Sequence, residues 1–338
     1  MIAKLPDEGS LRDYTAIISA MPLNPVRFIK SLVRPLIPQL VLDRIHTRRW
    51  NQLLRDQGIA VYYKPEAIEI RKGKSTIRIG RKHEVYLSDM VVSFDYYFGA
   101  VQDAGGVSDF SCSRRHRLIG FDEFPVLFSS IPEPYATIRQ YLEFASLAAG
   151  NVVLDLGAYS GITSIVFARE VGPTGRVFAF EPDAENFRTA TENLITAKSF
   201  GYPPFTLINE AVWSHDDGLD FSAEGSMGSS AASIVGIGRG SVVNVPTITL
   251  TRFCRERQIK HIDFIKMDIE GAEVEVLDSS REILSQMRPK ILIEPHFVGG
   301  TLTTNRCLQI LGELGEYDIK IIDQLGVSLP LILAAPKC

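Results

Sequence analysis

Apolar and polar positions change rhythm at about residue 150. Beyond it, short runs that are apolar at nearly every position alternate with longer stretches whose apolar residues recur every three or four places. NVVLDLG (151–157) reads as a strand, and YSGITSIVFAREVG (159–172) as the helix behind it, with Ile162, Ile165, Val166 and Phe167 on its apolar side. RVFAFEP (176–182) is a second strand and DAENFRTATENLITAKSF (183–200) a second helix, which Asp183 is placed to cap. FTLINEAVW, IDFIKMDI, KILIEPHF, YDIKIID and LPLILAAP supply further strands. Strands apolar at almost every position are buried on both faces, so the pattern predicts an α/β, doubly wound, Rossmann-like sheet, mostly parallel, with an antiparallel closing strand.

The rhythm before residue 150 is different. Basic helical patterns, a hairpin expected at IEIRKGKSTIRIG and aromatic clusters such as YLSDMVVSFDYYFGAV suggest an accessory region over 1–134 and the main domain over 135–338. One further interruption, residues 216–243, is rich in Gly and Ser and favours loops or a short hairpin; a loop of that length at a sheet edge suits a lid.

Composition narrows the class. With 45% hydrophobic and 22% charged residues the chain has ordinary globular usage, and its longest early apolar run is broken by Arg34, Pro35 and Pro38, too short to span a bilayer. MIAKLPDEGS lacks the pattern of a signal peptide, so a cytoplasmic protein without a transmembrane segment is expected. The first 148 residues hold 20 of the 36 basic side chains but 16 of the 40 acidic ones; such clusters suit a solvated face, and the net charge of −4 argues against nucleic-acid partners. Cys112, Cys254, Cys307 and Cys338 lie far apart, which excludes the usual zinc and iron–sulfur spacings.

The chemistry gathers at strand ends. VVLDLGAYSGITS sets Asp155, Gly157 and Gly161 at the join between the first strand and its helix, where glycine lets backbone approach a ligand and the helix offers unpaired N–H groups. The GxxxG spacing is not the GxGxxG of dinucleotide folds. Glu181 ends the second strand, where an acidic side chain can accept from both hydroxyls of a ribose. FIKMDIEGAE then brings Asp268, Glu270 and Glu273 together after a strand, and ligands in such sheets bind outside the carboxyl ends of strands.

DLGAYSGITS, FAFEPDAENF, LINEAVW, VPTITLTRFC and IDFIKMDIEGAEVEVL together resemble the FkbM family of S-adenosylmethionine-dependent methyltransferases, over about residues 135–335. The resemblance implies a class I methyltransferase sheet and S-adenosyl-L-methionine as cofactor. Asp155, Gly157, Ala158, Tyr159, Ser160 and Gly161 would hold its amino-acid end, Glu181 with Pro182 its ribose, and Glu210 with Ala211 would border its adenine. Two positions depart from the family pattern: Tyr159 replaces a more usual Asn, and Thr251 a more usual Asp before a helix that Thr could still cap. A small-molecule O-methyltransferase acting on a sugar or secondary-metabolite hydroxyl is then the expected activity. N-methylation of a small amine or peptide, or an inactive cofactor-fold binding module, are the alternatives.

Methyl transfer to a hydroxyl needs an in-line nucleophile and a proton acceptor. Asp268, Glu270 and His296 are the candidate catalytic groups, with His296 expected to titrate near neutrality as the base. Asp268 with Glu294 could instead ligate Mg²⁺, a reading that is not favoured because two carboxylates make a thin site. Glu273 reads as structural, and His215 and His261 as surface residues.

Overall fold

The computed structural model describes residues 38–102, 105–235, 241–327 and 329–337. Part of the early basic stretch and residues 236–240 of the Gly/Ser-rich segment lie outside them. The chain forms two compact units, the first made of residues up to Phe98 with 103–111 and 326–328, the second of the remainder. Residues 112–134, placed by sequence texture with the accessory region, group with the second unit.

In the first unit, α1 (Gln39–Leu53) precedes β1 (Ile59–Tyr63), β2 (Ala67–Lys72) and β3 (Ser75–Gly80), followed by α2 (Leu87–Val92), α3 (Phe94–Phe98) and β4 (Val107–Phe110). The expected hairpin is present: β2 and β3 pair antiparallel with Lys72 opposite Ser75, and Gly73 takes the positive φ of +59° that a two-residue loop led by glycine requires. β1 extends the sheet on one side and β4 joins it parallel to β3 on the other. Much of the basic surplus is spent inside this unit. Arg71 and Arg78 pair with the buried Glu69 at 2.6 and 3.0 Å, Arg81 with Asp43 at 2.7 Å, and Lys72 with Asp95.

The second unit opens with the hairpin β5 (Arg114–Leu118) and β6 (Phe121–Phe128), then α4 (Tyr135–Ala145). The main sheet begins with β7 (Val152–Leu156), α5 (Ile162–Val171), β8 (Arg176–Phe180), α6 (Ala184–Ser199) and β9 (Thr206–Ile208). After β9 come β10 (Ala211–Val212), β11 (Leu219–Ala223), β12 (Ser230–Ala231), α7 (Ala232–Val235), β13 (Ser241–Val245), β14 (Thr247–Ile248) and α8 (Leu250–Glu256). The chain then continues through β15 (Phe264–Met267), α9 (Glu273–Ser279), α10 (Arg281–Met287), β16 (Lys290–Ile293), β17 (Phe297–Val298), β18 (Thr301–Leu302), α11 (Thr304–Leu314), β19 (Tyr317–Asp323) and β20 (Pro330–Pro336).

Seven strands form one sheet in the order β19-β20-β16-β15-β7-β8-β9, with β20 antiparallel to both neighbours and the other adjacent pairs parallel. The chain moves outward from β7 through β8 to β9, then crosses to β15 on the opposite side of β7. The β7/β15 border is therefore the switch point, where a crevice opens beyond the carboxyl ends of the strands.

Both faces of the centre are covered. Every residue of β7 and of β15 is buried, which is why their sequences carry no alternation. On one face Phe253 of α8 meets Phe178 and Phe180 edge-on at 5.2 and 4.9 Å between ring centres; on the other, Phe167 of α5 meets Phe264 at 5.7 Å.

Several local expectations change in detail. Asp183 caps α6 as expected, accepting from Glu185 N and Asn186 N. Thr249, not Thr251, caps α8, because Thr251 already lies within the helix. FTLINEAVW divides into β9 and β10, and AEVEVLDSSREIL forms two helices, α9 and α10, that meet at Ser280. The Gly/Ser-rich segment contributes β11, β12 and β13 of a small antiparallel sheet together with the single turn α7.

Phe253 packs α8 against two rings of β8, so Phe253→Ala should cost about 3–5 kcal/mol of stability, read as a lower urea midpoint at unchanged slope.

Candidate active site

The glycine turn after β7 is shaped by its neighbour as much as by any ligand. Gly157 has φ +84°, and a Cβ there would stand 1.8 Å from the carbonyl oxygen of Asp268. Gly157 N and Ala158 N both donate to Phe180 O, tying the turn to β8. Tyr159 also adopts a left-handed conformation, and its backbone N–H donates to Glu181 Oε2 at 2.7 Å. Its side chain is committed elsewhere: the hydroxyl donates to Ile131 O at 2.8 Å, stands 3.1 Å from Ser130 Oγ, and has its pKa pushed up to about 12 by burial. The Ser160 hydroxyl is buried without a hydrogen-bond partner. Gly161, with no side chain to cap with, starts α5, so the first turn of that helix gets no closure from its cap residue.

Glu181 is buried at the end of β8. Its carboxylate accepts from Tyr159 N and, at 2.9 Å, from Asp183 N. Burial, reinforced by Asp183, still pushes its pKa up to about 8. Pro182 follows, and Asn209 Nδ2 donates to the carbonyls of Glu181 and Pro182. Glu210 is half-buried, and Ala211 is buried where β10 pairs with β14. The segment EGSMGSSAAS is anchored here: Asp183 Oδ2 accepts from Gly225 N and Ser229 Oγ at 3.0 and 2.8 Å, and Asn186 Nδ2 donates to Ser226 O. A cover loop was expected from its loose composition; hydrogen bonds fasten it to the start of α6.

Across the switch point, Lys266 is buried opposite Asp155 in the β15/β7 register. Its Nζ donates to Gly157 O at 2.7 Å and lies 3.3 Å from Asp155 Oδ1 and 3.4 Å from Asp268 Oδ2. Burial would lower its pKa, but Asp155, Asp268, Glu133 and Glu294 outweigh burial and raise it. Asp155 Oδ2 is also held by Ser164 Oγ at 2.5 Å.

Regular strand geometry ends at Met267, three residues short of Glu270, so alternation is not what places the carboxylates. Glu270 and Gly271 turn through positive φ (+52° and +102°), and Ser230 Oγ fastens Glu270 O at 2.7 Å. A Cβ on Gly271 would meet Ile234 at 2.6 Å and Val298 at 2.9 Å. This turn folds Asp268 and Glu270 toward His296, which arrives from the end of β16. Its Nε2 lies 3.6 Å from Asp268 Oδ1, 3.6 Å from Glu270 Oε1 and 3.9 Å from Glu294 Oε1.

Glu273 is fully buried and central. Its Oε1 accepts from Gly271 N at 3.0 Å and lies 2.9 Å from His296 Nδ1, while Oε2 accepts from Thr303 Oγ1. Glu294 Oε2 accepts from Tyr141 OH and Gln324 Nε2, both at 2.8 Å. Burial alone would lower the His296 pKa, yet Glu270, Glu273 and Asp268 carry it well above its ordinary value. The surrounding carboxylates thus favour positive charge at this position. Burial, offset in part by His296, pushes Glu270 up to about 8.

Three groups here escaped the sequence reading. Glu133 accepts from Thr163 Oγ1 at 3.0 Å and is pushed up to about 7 by burial, which Lys266 partly offsets. Tyr141 and Gln324 steady Glu294, and Glu273 orients the histidine. Glu133, Tyr141 and Gln324 come from remote stretches with no motif; Glu273, within FIKMDIEGAE, read as structural. His215 and His261 are exposed, as expected.

The topology is that of an α/β sheet with a crevice at its switch point, the place where ligands bind in such folds. Residues 155–319 match the family model described as the methyltransferase FkbM domain. The chain thus carries an FkbM domain and is an S-adenosylmethionine-dependent methyltransferase. It is 24% identical over 178 residues to the 2-O-methyltransferase NoeI of Sinorhizobium fredii (strain NBRC 101917 / NGR234), covering 47% of this chain and 70% of that protein. A ubiquinone/menaquinone biosynthesis C-methyltransferase, UbiE of Hydrogenovibrio crunogenus, is 30% identical over 79 residues, 23% of this chain and 31% of that one. Among solved structures, the methyltransferase FkbM from Methylobacillus flagellatus KT superposes with a TM-score of 0.42 at 19% identity, covering 60% of this chain and 48% of its own. Among the described residues no helix is long and apolar enough to cross a membrane.

Lys266→Met leaves Asp155 and Asp268 without their buried counter-charge and should cost about 3–5 kcal/mol in chemical denaturation. Adding Asp155→Asn should recover part of that loss, which separates charge compensation from simple packing.

Proposed function

We propose that the protein transfers the methyl group of S-adenosylmethionine to a hydroxyl of a small molecule, a sugar or secondary-metabolite acceptor being the favoured class. The observation that carries this reading is the convergence of Asp268, Glu270 and His296, with Glu294, at the switch point beside the glycine turn. One relative is named a 2-O-methyltransferase, which favours oxygen over nitrogen as the acceptor atom.

The residues present fit the cofactor. The first turn of α5, lacking a side-chain cap, and the unpartnered Ser160 hydroxyl suit its carboxylate. Lys266 already occupies Gly157 O and faces Asp155, so Glu133 is the better acceptor for its ammonium. Glu181 suits the ribose hydroxyls, with Pro182, Glu210 and Ala211 bordering the remainder. Tyr159 contributes its backbone, since its ring hydroxyl is engaged with Ile131. When bound, the cofactor supplies an electrophilic methyl on a sulfonium centre.

The acceptor hydroxyl would be presented to the Asp268–Glu270–His296 cluster. A carboxylate bordering the cluster takes its proton, while His296, fixed through Nδ1 by Glu273, orients the group. Asp268→Asn and His296→Ala should each lower kcat by about 10²- to 10⁴-fold, the usual worth of a positioned acid–base group, with little change in cofactor affinity. Near-normal release of S-adenosylhomocysteine by both variants would remove the cluster from catalysis.

Glu181→Ala should weaken cofactor binding by about 1–3 kcal/mol in calorimetry. Ribose hydroxyls donate to the ionised carboxylate, so binding lowers a pKa that starts at about 8. Cofactor affinity should therefore rise with pH and level off above about 8, and the Glu181→Ala variant should lose this dependence; a flat profile in the unaltered protein would detach Glu181 from the ribose.

A further inference from the structure

We propose that Asp268, Glu270 and His296 bind a divalent first-row transition-metal ion of the Mn²⁺ or Zn²⁺ kind, on which the acceptor hydroxyl is placed. This rests on reading the cluster as the acceptor side of the site.

Each of the three side chains offers one donor atom, and the three atoms lie within 4.8 Å of one another. The Nε2 separations of 3.6 Å from each carboxylate are too long for hydrogen bonds. They match two ligands that share one ion, because donors at about 2.1 Å from a metal stand roughly 3–3.6 Å apart. The side chains therefore converge on a point between them rather than on each other.

Glu273 supplies the second requirement. A ligating imidazole usually gives its other N–H to a carboxylate, which fixes the tautomer and turns the free nitrogen toward the metal. Here Nδ1 lies 2.9 Å from a fully buried carboxylate, and Nε2 faces Asp268, Glu270 and Glu294. That buried carboxylate is itself held by Gly271 N and Thr303 Oγ1, so the orientation of the ring does not depend on the ion.

Charge balance points the same way. Asp268, Glu270, Glu273 and Glu294 surround one imidazole, and Lys266 lies on the far side of Asp268 against Asp155. Behind Glu294, the buried Gln324 Oε1 has no hydrogen-bond partner. Asp268 and Glu270 side chains remain 27% and 25% exposed, which leaves the ion an entry path and an open coordination position. The mixed nitrogen and oxygen donor set favours Mn²⁺ or Zn²⁺ over Mg²⁺, which prefers oxygen ligands alone.

An ion held there would lower the pKa of a hydroxyl placed on it. The O–H bond breaks and its proton passes to Glu294, whose Oε1 faces the cluster while Tyr141 and Gln324 hold Oε2. The freed oxygen pair forms the O–CH₃ bond as the S–CH₃ bond breaks, its electron pair remaining on sulfur. No oxidant or reductant is needed.

The test is Mn²⁺ titration of the full chain after dialysis against EDTA, followed by the loss of the free-Mn²⁺ electron paramagnetic resonance signal. One saturable Mn²⁺ per chain is expected, weakened at least 10-fold by His296→Ala and by Asp268→Asn. Glu273→Gln, which touches no metal, should weaken it by about 10- to 100-fold. Circular dichroism confirms that each variant is folded, and Glu270→Gln serves as a further ligand variant if one of them is not. Absence of saturable binding by Mn²⁺ and by Zn²⁺, or binding unchanged in the folded ligand variants, overturns the proposal. Methyl transfer that survives EDTA without metal binding would overturn it while leaving the methyltransferase reading standing. Tight, variant-sensitive Mn²⁺ binding without turnover on any hydroxyl acceptor would support the site and count against the O-methylation reading.

Discussion

The interaction on which the site depends is the buried Lys266 ammonium between β7 and β15. An unpaired charge at that depth would be prohibitive, and so would the carboxylates around it without a cation. In register opposite Asp155 and hydrogen-bonded to Gly157 O, Lys266 joins the glycine turn, the first strand and the Asp268 loop into one charge-compensated unit. The crevice at the switch point is thus walled by polar groups that cannot relax independently. Such preorganisation lets an electrostatic site act without reorganising at the moment of reaction.

Backbone sterics act at the same border. The carbonyl of Asp268 occupies the space a side chain at position 157 would need, so the glycine admits the neighbouring loop as well as leaving room for a ligand. The same loop then reverses through Glu270 and Gly271, both at positive φ, where Glu270 bears a cost of about 1 kcal/mol or more that only surrounding contacts can sustain. Ser230, Ile234 and Val298 provide those contacts. The strain has a chemical return: it turns two acidic side chains toward a histidine from the next strand.

The Gly/Ser-rich segment links two strand ends. It is bonded to Asp183 after β8 and, through Ser230, to the Glu270 turn after β15. Its low content of bulky apolar residues leaves these polar bonds as the main source of its order.

Much of the second unit was legible from residue order alone. Uninterrupted apolar runs in β7 and β15 marked strands buried on both faces, and Asp183 marked the start of α6, because burial and capping are local demands written residue by residue. Asp155, Glu181, Asp268 and His296 were visible for a similar reason: polar residues at the ends of such strands need a purpose. The partners of those residues were not visible. Glu133, Tyr141 and Gln324 reach the site from segments far apart in the chain, and Glu273 became the orienter of His296 only because α9 packs beside the end of β16. The protonation of His296 depends on how many carboxylates surround it, a count set by three-dimensional convergence. The sequence by itself determined the elements and the strand-end acids, since those follow from local periodicity; only the tertiary structure decided which acids meet and around which histidine, since that depends on distance through space.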